Sequence, residues 1–138
     1  MSERPEVLEV ARDWVRKAEE DLTNAEYVLT LKEHCPLGTV CFHCQQCVEK
    51  YLKALLTCRD VAYPRTHDLA RLAGLLPEED GRVLAREEAG SLTRYNVEGR
   101  YPGDWNPPTR DEAEKAVAIA RKLREAIRGR LPQEARDD

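Results

Sequence analysis

A chain of 138 residues with 35% charged and 41% hydrophobic side chains is long enough for one domain with a real core, and its charge density excludes a membrane-embedded protein and argues against a disordered one. The formal net charge of -4, from 22 basic and 26 acidic residues, argues against a general nucleic-acid coat or an anionic-membrane binder and leaves room only for local basic patches. Leu and Ala together supply 31 residues against 12 for Val and Ile, a bias toward helix formers, so the fold class expected is all-α.

The opening stretch MSERPEVLEV has no basic leader followed by an apolar run, and no window approaches the ~18 apolar residues of a membrane span. A cytoplasmic protein with no membrane association is therefore expected. Five cysteines, an odd number without a signal segment, point to reduced thiols rather than a disulfide framework.

The first predicted helix covers residues 6–32, where Trp14, Ala18, Leu22, Ala25 and Leu29 recur at spacings of three and four and form a core-facing stripe. The segment His34 to Gly38 breaks it, because Pro36 lacks a backbone donor and disfavours helical geometry at Cys35. A second helix is predicted over 37–58, with Val40, Cys41, Cys44, Val48, Tyr51, Leu52 and Leu55 in one arc. On the same wheel His43, Gln46, Lys50 and Lys53 fall within about 80°, a polar stripe along one side.

Pro64 then enforces an extended approach, and Thr66 or Asp68 can cap a short helix over 69–76, closed by Pro77. A fourth helix is predicted over 78–95, interrupted or weakened near Gly90, followed by the Gly- and Pro-rich loop NVEGRYPGDWNPP. Thr109 and Glu112 have the spacing of a capping box opening the last helix, whose stripe is Ala113, Val117, Ala120, Leu123 and Ile127. The expected architecture is one antiparallel up-down bundle, residues 1–130, of four main helices and a short one, with 131–138 a frayed tail.

Cys41, Cys44 and Cys47, with His34, Cys35 and His43 nearby, suggest a thiolate–imidazole metal site. Helical steps of three splay the outer cysteines by about 120°, and no second ligand pair follows, so core packing is the preferred reading and no metal is expected. No glycine-rich phosphate loop of the common kinds is present, so a nucleotide site would use side chains and no cofactor is expected. Arg94, Tyr95, Arg100 and Tyr101 interleave guanidinium groups, which grip phosphate, with aromatic rings, which stack on bases.

Taken in order, Trp14, Ala18, Asp21, Leu22 and Ala25, then CFHCQQCVEKYLKALL, then PRTHDL, then Arg100 to Pro102, resemble the HEPN domain family over about 14–123. The resemblance implies an antiparallel helical bundle that usually dimerises and is often encoded beside a minimal nucleotidyltransferase, with roles from nucleotide binding to RNA cleavage in toxin-antitoxin and defence systems. Matching positions are His43, Gln46, Glu49, Lys50, Lys53, His67, Asp68, Arg100, Tyr101 and Pro102. The ribonuclease branch carries Arg, four to six residues, then His, whereas here the nearest approach is Arg59 with seven residues before His67.

The favoured expectation is therefore a dimeric module binding a nucleotide or RNA phosphate, using His43, Gln46, Lys50, Lys53, His67, Arg94, Arg100 and Tyr101, beside a nucleotidyltransferase partner. The enzymatic alternative is a metal-independent endoribonuclease toxin using His67 with Arg59 or Arg65. A purely structural dimer or partner-docking module is the third.

Overall fold

The computed structural model describes residues 4–95 and 106–137. Its helices are α1 (Pro5–Leu29), α2 (Leu37–Cys58), α3 (Leu69–Gly74), α4 (Arg86–Thr93) and α5 (Arg110–Arg128), with single 3₁₀ turns at Glu78–Asp80 and Gln133–Ala135. No strand occurs among the described residues, and the fold is the all-helical bundle that the composition implies.

Local chemistry sets the boundaries. Pro5 sits at the first position of α1, where its missing N–H costs nothing. The Asp68 side chain accepts a hydrogen bond from the Arg71 backbone N–H at 3.2 Å and so starts α3. The capping box of α5 is formed reciprocally: Thr109 Oγ1 accepts from the Glu112 N–H at 3.1 Å, and Glu112 Oε1 accepts from the Thr109 N–H at 2.9 Å.

Helix α2 lies at the centre, with α1 and α5 on its flanks and α3 and α4 covering the rest. That placement explains its burial. Fourteen of its 22 residues are buried, among them Tyr51, Leu52, Leu55 and Leu56, and each such large apolar side chain contributes about 1.5–3 kcal/mol relative to leaving it in water. Cys41, Cys44, Cys47 and Cys58 are fully enclosed in this core. Burial pushes the Cys41 and Cys58 thiols up to about 11 and drives Cys44 and Cys47 higher still, so all four are protonated packing groups.

Two segments depart from the periodicity. Residues 78–95 are not one helix: after the 3₁₀ turn the chain opens so that Val83 and Leu84 drop into the core, and α4 begins only at Arg86. Gly90 lies inside α4 rather than breaking it, and a methyl there would meet nothing within 4 Å. At the break sits Asp80, a carboxylate nearly excluded from solvent. It takes Arg59 Nε at 2.6 Å and Nη2 at 3.1 Å, with Arg130 Nε at 3.3 Å.

The other departure is the C-terminal segment, which is not frayed over its described residues. Leu131 and Ala135 are buried, Arg12 of α1 donates to the Glu134 carbonyl at 2.8 Å, and Arg16 pairs with Asp137 at 3.0 Å. Apolar burial plus contacts back to α1 outweigh the few residues of chain entropy that docking costs.

Candidate functional site

Two carboxylates organise the polar side of the α1–α2 seam. Asp21 projects from α1 next to the stripe residue Leu22, and α2 brings two bases to it, one on each oxygen: His43 Nδ1 to Oδ1 at 2.7 Å and Lys50 Nζ to Oδ2 at 2.5 Å. His43 and Lys50 lie seven residues apart, two helical turns, which puts both on the face that meets α1.

The second carboxylate is Glu49, buried within α2 itself. Its Oε2 accepts from Lys53 Nζ at 3.0 Å, one turn on, and its Oε1 accepts from Gln45 Nε2 at 3.2 Å, one turn back. His67, from the loop before α3, brings Nδ1 to the same Oε1 at 2.8 Å. Gln45 also donates to the His67 backbone carbonyl at 3.3 Å, and Gln46 donates to Gln45 Oε1 at 2.7 Å. Burial pushes the Glu49 carboxyl up, but the hydrogen bonds from His67, Lys53 and Gln45 prevail and hold it below its ordinary value.

Beside this network is a pocket of about 600 Å³ lined by Trp14, Lys53, Tyr63, Pro64, Arg65, Thr66 and His67. Trp14 Nε1–H donates to the Tyr63 hydroxyl at 2.9 Å, which lies 3.1 Å from Thr57 Oγ1, so three elements clamp the aromatic wall. Lys53 Nζ sits 5.3 Å from the Trp14 ring centroid, a cation–π contact made alongside its hydrogen bond to Glu49. The His67 side chain is 56% exposed although its partner Glu49 is 4% exposed, so the imidazole bridges core and solvent. Thr66 Oγ1 accepts from the Asp68 N–H at 3.1 Å, which shapes the turn carrying His67.

The structure gathers some of the expected residues and separates others. His43, Gln46, Lys50, Lys53 and His67 all join the two carboxylate networks. Lys53, however, is buried, with its ammonium on Glu49 Oε2 and over the Trp14 ring of α1. Arg94 lies elsewhere, against the Tyr95 ring at 4.7 Å and 3.3 Å from Glu112, beside a cavity of about 290 Å³ lined also by Lys115 and Ile119. Arg59 is held by Asp80 rather than turned toward His67, whereas Arg65 shares the His67 pocket. Arg100 and Tyr101 lie outside the described residues.

Reading the sequence did not single out Trp14 and Tyr63 as pocket walls, nor Asp21, Gln45 and Glu49 as organisers. A signal was present in the i, i+4 run of Gln45, Glu49 and Lys53, which can satisfy a carboxylate within one helix.

A family model for the HEPN domain matches residues 11–130, so it spans both networks, the pocket and all five helices but for the start of α1. This chain belongs to the HEPN domain family. A Methanocaldococcus jannaschii protein named "Putative toxin MJ1304" is 28% identical over 147 residues, covering 91% of each chain. Among solved structures, TT1696 from Thermus thermophilus superposes with a TM-score of 0.71 at 31% identity, over 88% of this chain and 98% of that one. ST0689, described as an archaeal HEPN homologue, superposes with a TM-score of 0.66 at 25% identity and the same coverage. The bundle of this HEPN chain is thus a fold shared at full domain length, and its His67 pocket is built entirely within the matched span.

Proposed function

We propose that this HEPN chain is a binding module for a nucleotide or an RNA phosphate, and that the ligand lies in the pocket beside His67. The observation carrying this reading is the chemistry of the lining: the aromatic side chains of Trp14 and Tyr63 share one pocket with the cationic or proton-donating side chains of Arg65, Lys53 and His67. Aromatic rings stack on bases regardless of sequence, and a guanidinium grips phosphate oxygens in a planar fork. Arg65 is exposed and pairs with no other described residue, so its donors are available to an anion. Lys50 and His43, by contrast, spend their inner hydrogen bonds on Asp21, which assigns them to holding α1 against α2. A module of this kind would act as a dimer beside a minimal nucleotidyltransferase.

The test is a titration of purified protein with AMP and with a short RNA in EDTA, followed by analysis of the RNA. Saturable binding with intact RNA, weakened about tenfold or more by Arg65→Ala without loss of helicity, is the expected result. Affinity unchanged in both Arg65→Ala and His67→Ala overturns the site. One observation favours a second reading, a metal-independent endoribonuclease: an imidazole paired with a buried carboxylate is the arrangement used by general bases. The toxin-named relative points the same way. In that reading Arg65, not Arg59, steadies the phosphate, and RNA breakage in EDTA disappears in His67→Ala.

A further inference from the structure

The two histidines of the site are held alike, each by Nδ1 on a buried carboxylate, and His67 also lines the pocket beside Trp14 and Tyr63. Glu49 is surrounded by donors: Lys53 on Oε2, Gln45 and His67 on Oε1. An ionised carboxylate can only accept, so the proton between Glu49 and His67 belongs to Nδ1. A ring carrying that single proton has its lone pair on Nε2, the nitrogen not bonded to Glu49. Gln45 reinforces the arrangement by donating to the His67 carbonyl, which ties the backbone as well as the ring to α2.

We propose that Glu49 is the positioning residue of the His67 pocket, fixing the Nδ1–H tautomer so that Nε2 faces the ligand as a hydrogen-bond acceptor. The ligand side of this inference rests on the nucleotide reading above; the tautomer does not. Lys53 takes part by neutralising Glu49 while its own position is set by the Trp14 face, so the aromatic wall and the imidazole are fixed through one buried carboxylate. A ligand touching Nε2 and the Trp14–Tyr63 wall therefore meets parts held in mutual register before it binds.

Two measurements test this. Histidine ¹⁵N NMR of the wild-type protein at about pH 9, where an imidazole is neutral, should show His67 with a protonated Nδ1 and an unprotonated Nε2. Free imidazole side chains favour the opposite tautomer, so a predominant Nε2–H form overturns the proposal, and no variant needs to fold for this result. The second is a cycle of AMP affinities for wild type, Glu49→Gln, His67→Ala and the double variant. Glu49→Gln should weaken AMP about tenfold in the wild-type background and have no further effect once His67 is alanine. An equal loss in both backgrounds overturns positioning through His67. If AMP fails to bind the wild-type protein, the nucleotide reading falls, and the NMR result still decides the role of Glu49.

Discussion

Two buried carboxylates at different places along the bundle, Asp80 and Glu49, have the same difficulty and opposite outcomes. Each lost its hydration on folding and is satisfied by cations and hydrogen-bond donors. Asp80 is met by two guanidinium groups, Arg59 from the end of α2 and Arg130 from beyond α5, and the cluster joins three parts of the chain. Glu49 is met by an ammonium, an amide and an imidazole, and the imidazole is more than half exposed beside a pocket. The partner decides the use: a guanidinium that cannot give up its proton makes a fastener, and an imidazole that can makes a site.

The sharpest way to break the comparison is to remove a partner from each. Arg59→Ala strands a buried carboxylate with only the longer contact to Arg130, and a loss of about 3–5 kcal/mol in urea or thermal unfolding is expected. A loss below about 1 kcal/mol would mean that Asp80 is hydrated or protonated in the folded state. His67→Ala leaves Glu49 with Lys53 and Gln45 and removes a side chain already largely in water, so about 1 kcal/mol is expected in the same measurement. Its larger effect should be on ligand affinity, the reverse of Arg59→Ala.

Acid sharpens what the two carboxylates share. Hydrogen bonds from Arg59 hold Asp80 below the ordinary carboxylate value against the cost of burial, with the charges of Arg59 and Arg130 adding to them. Glu49 is lowered as well, burial being outweighed by its three donors. For a group whose folded value is depressed, the unfolded chain binds the proton first, so unfolding is favoured as pH falls. The stability both groups contribute is complete above the unfolded carboxylate range of about 4 to 4.5 and is lost as pH drops through their lower folded values. Urea unfolding at steps from about pH 6 to pH 2 should therefore be nearly level to about pH 5 and then decline; stability rising on acidification would contradict the ion-pair geometry.

How much of this was legible follows from the range of the interactions. Helix α2 reads from the sequence end to end, because its apolar arc and the flanking Pro36 and Arg59–Asp60 turn are local. The box of Thr109 and Glu112 is equally local. The break after Asp80 was not legible, since nothing within the acidic run Glu78 to Asp80 says that one of its carboxylates will be drawn to arginines far away in the chain. The same holds for Lys53, which the wheel places on a polar stripe and which the fold buries against Glu49 and the Trp14 ring.

The sequence by itself determined the helical class, the extent of α2 and the cap of α5, because periodicity and capping act over one to four residues. It also favoured packing roles for Cys41, Cys44 and Cys47, since steps of three along a helix splay them apart, and all three are buried in the core. Only the tertiary structure decided which polar groups became a site. Asp21 meets His43 and Lys50 across 22 and 29 residues, and Glu49 meets His67 across 18. Such pairings form when hydrophobic burial brings α1 and the loop before α3 onto α2, and that non-local packing leaves no periodic mark in the chain.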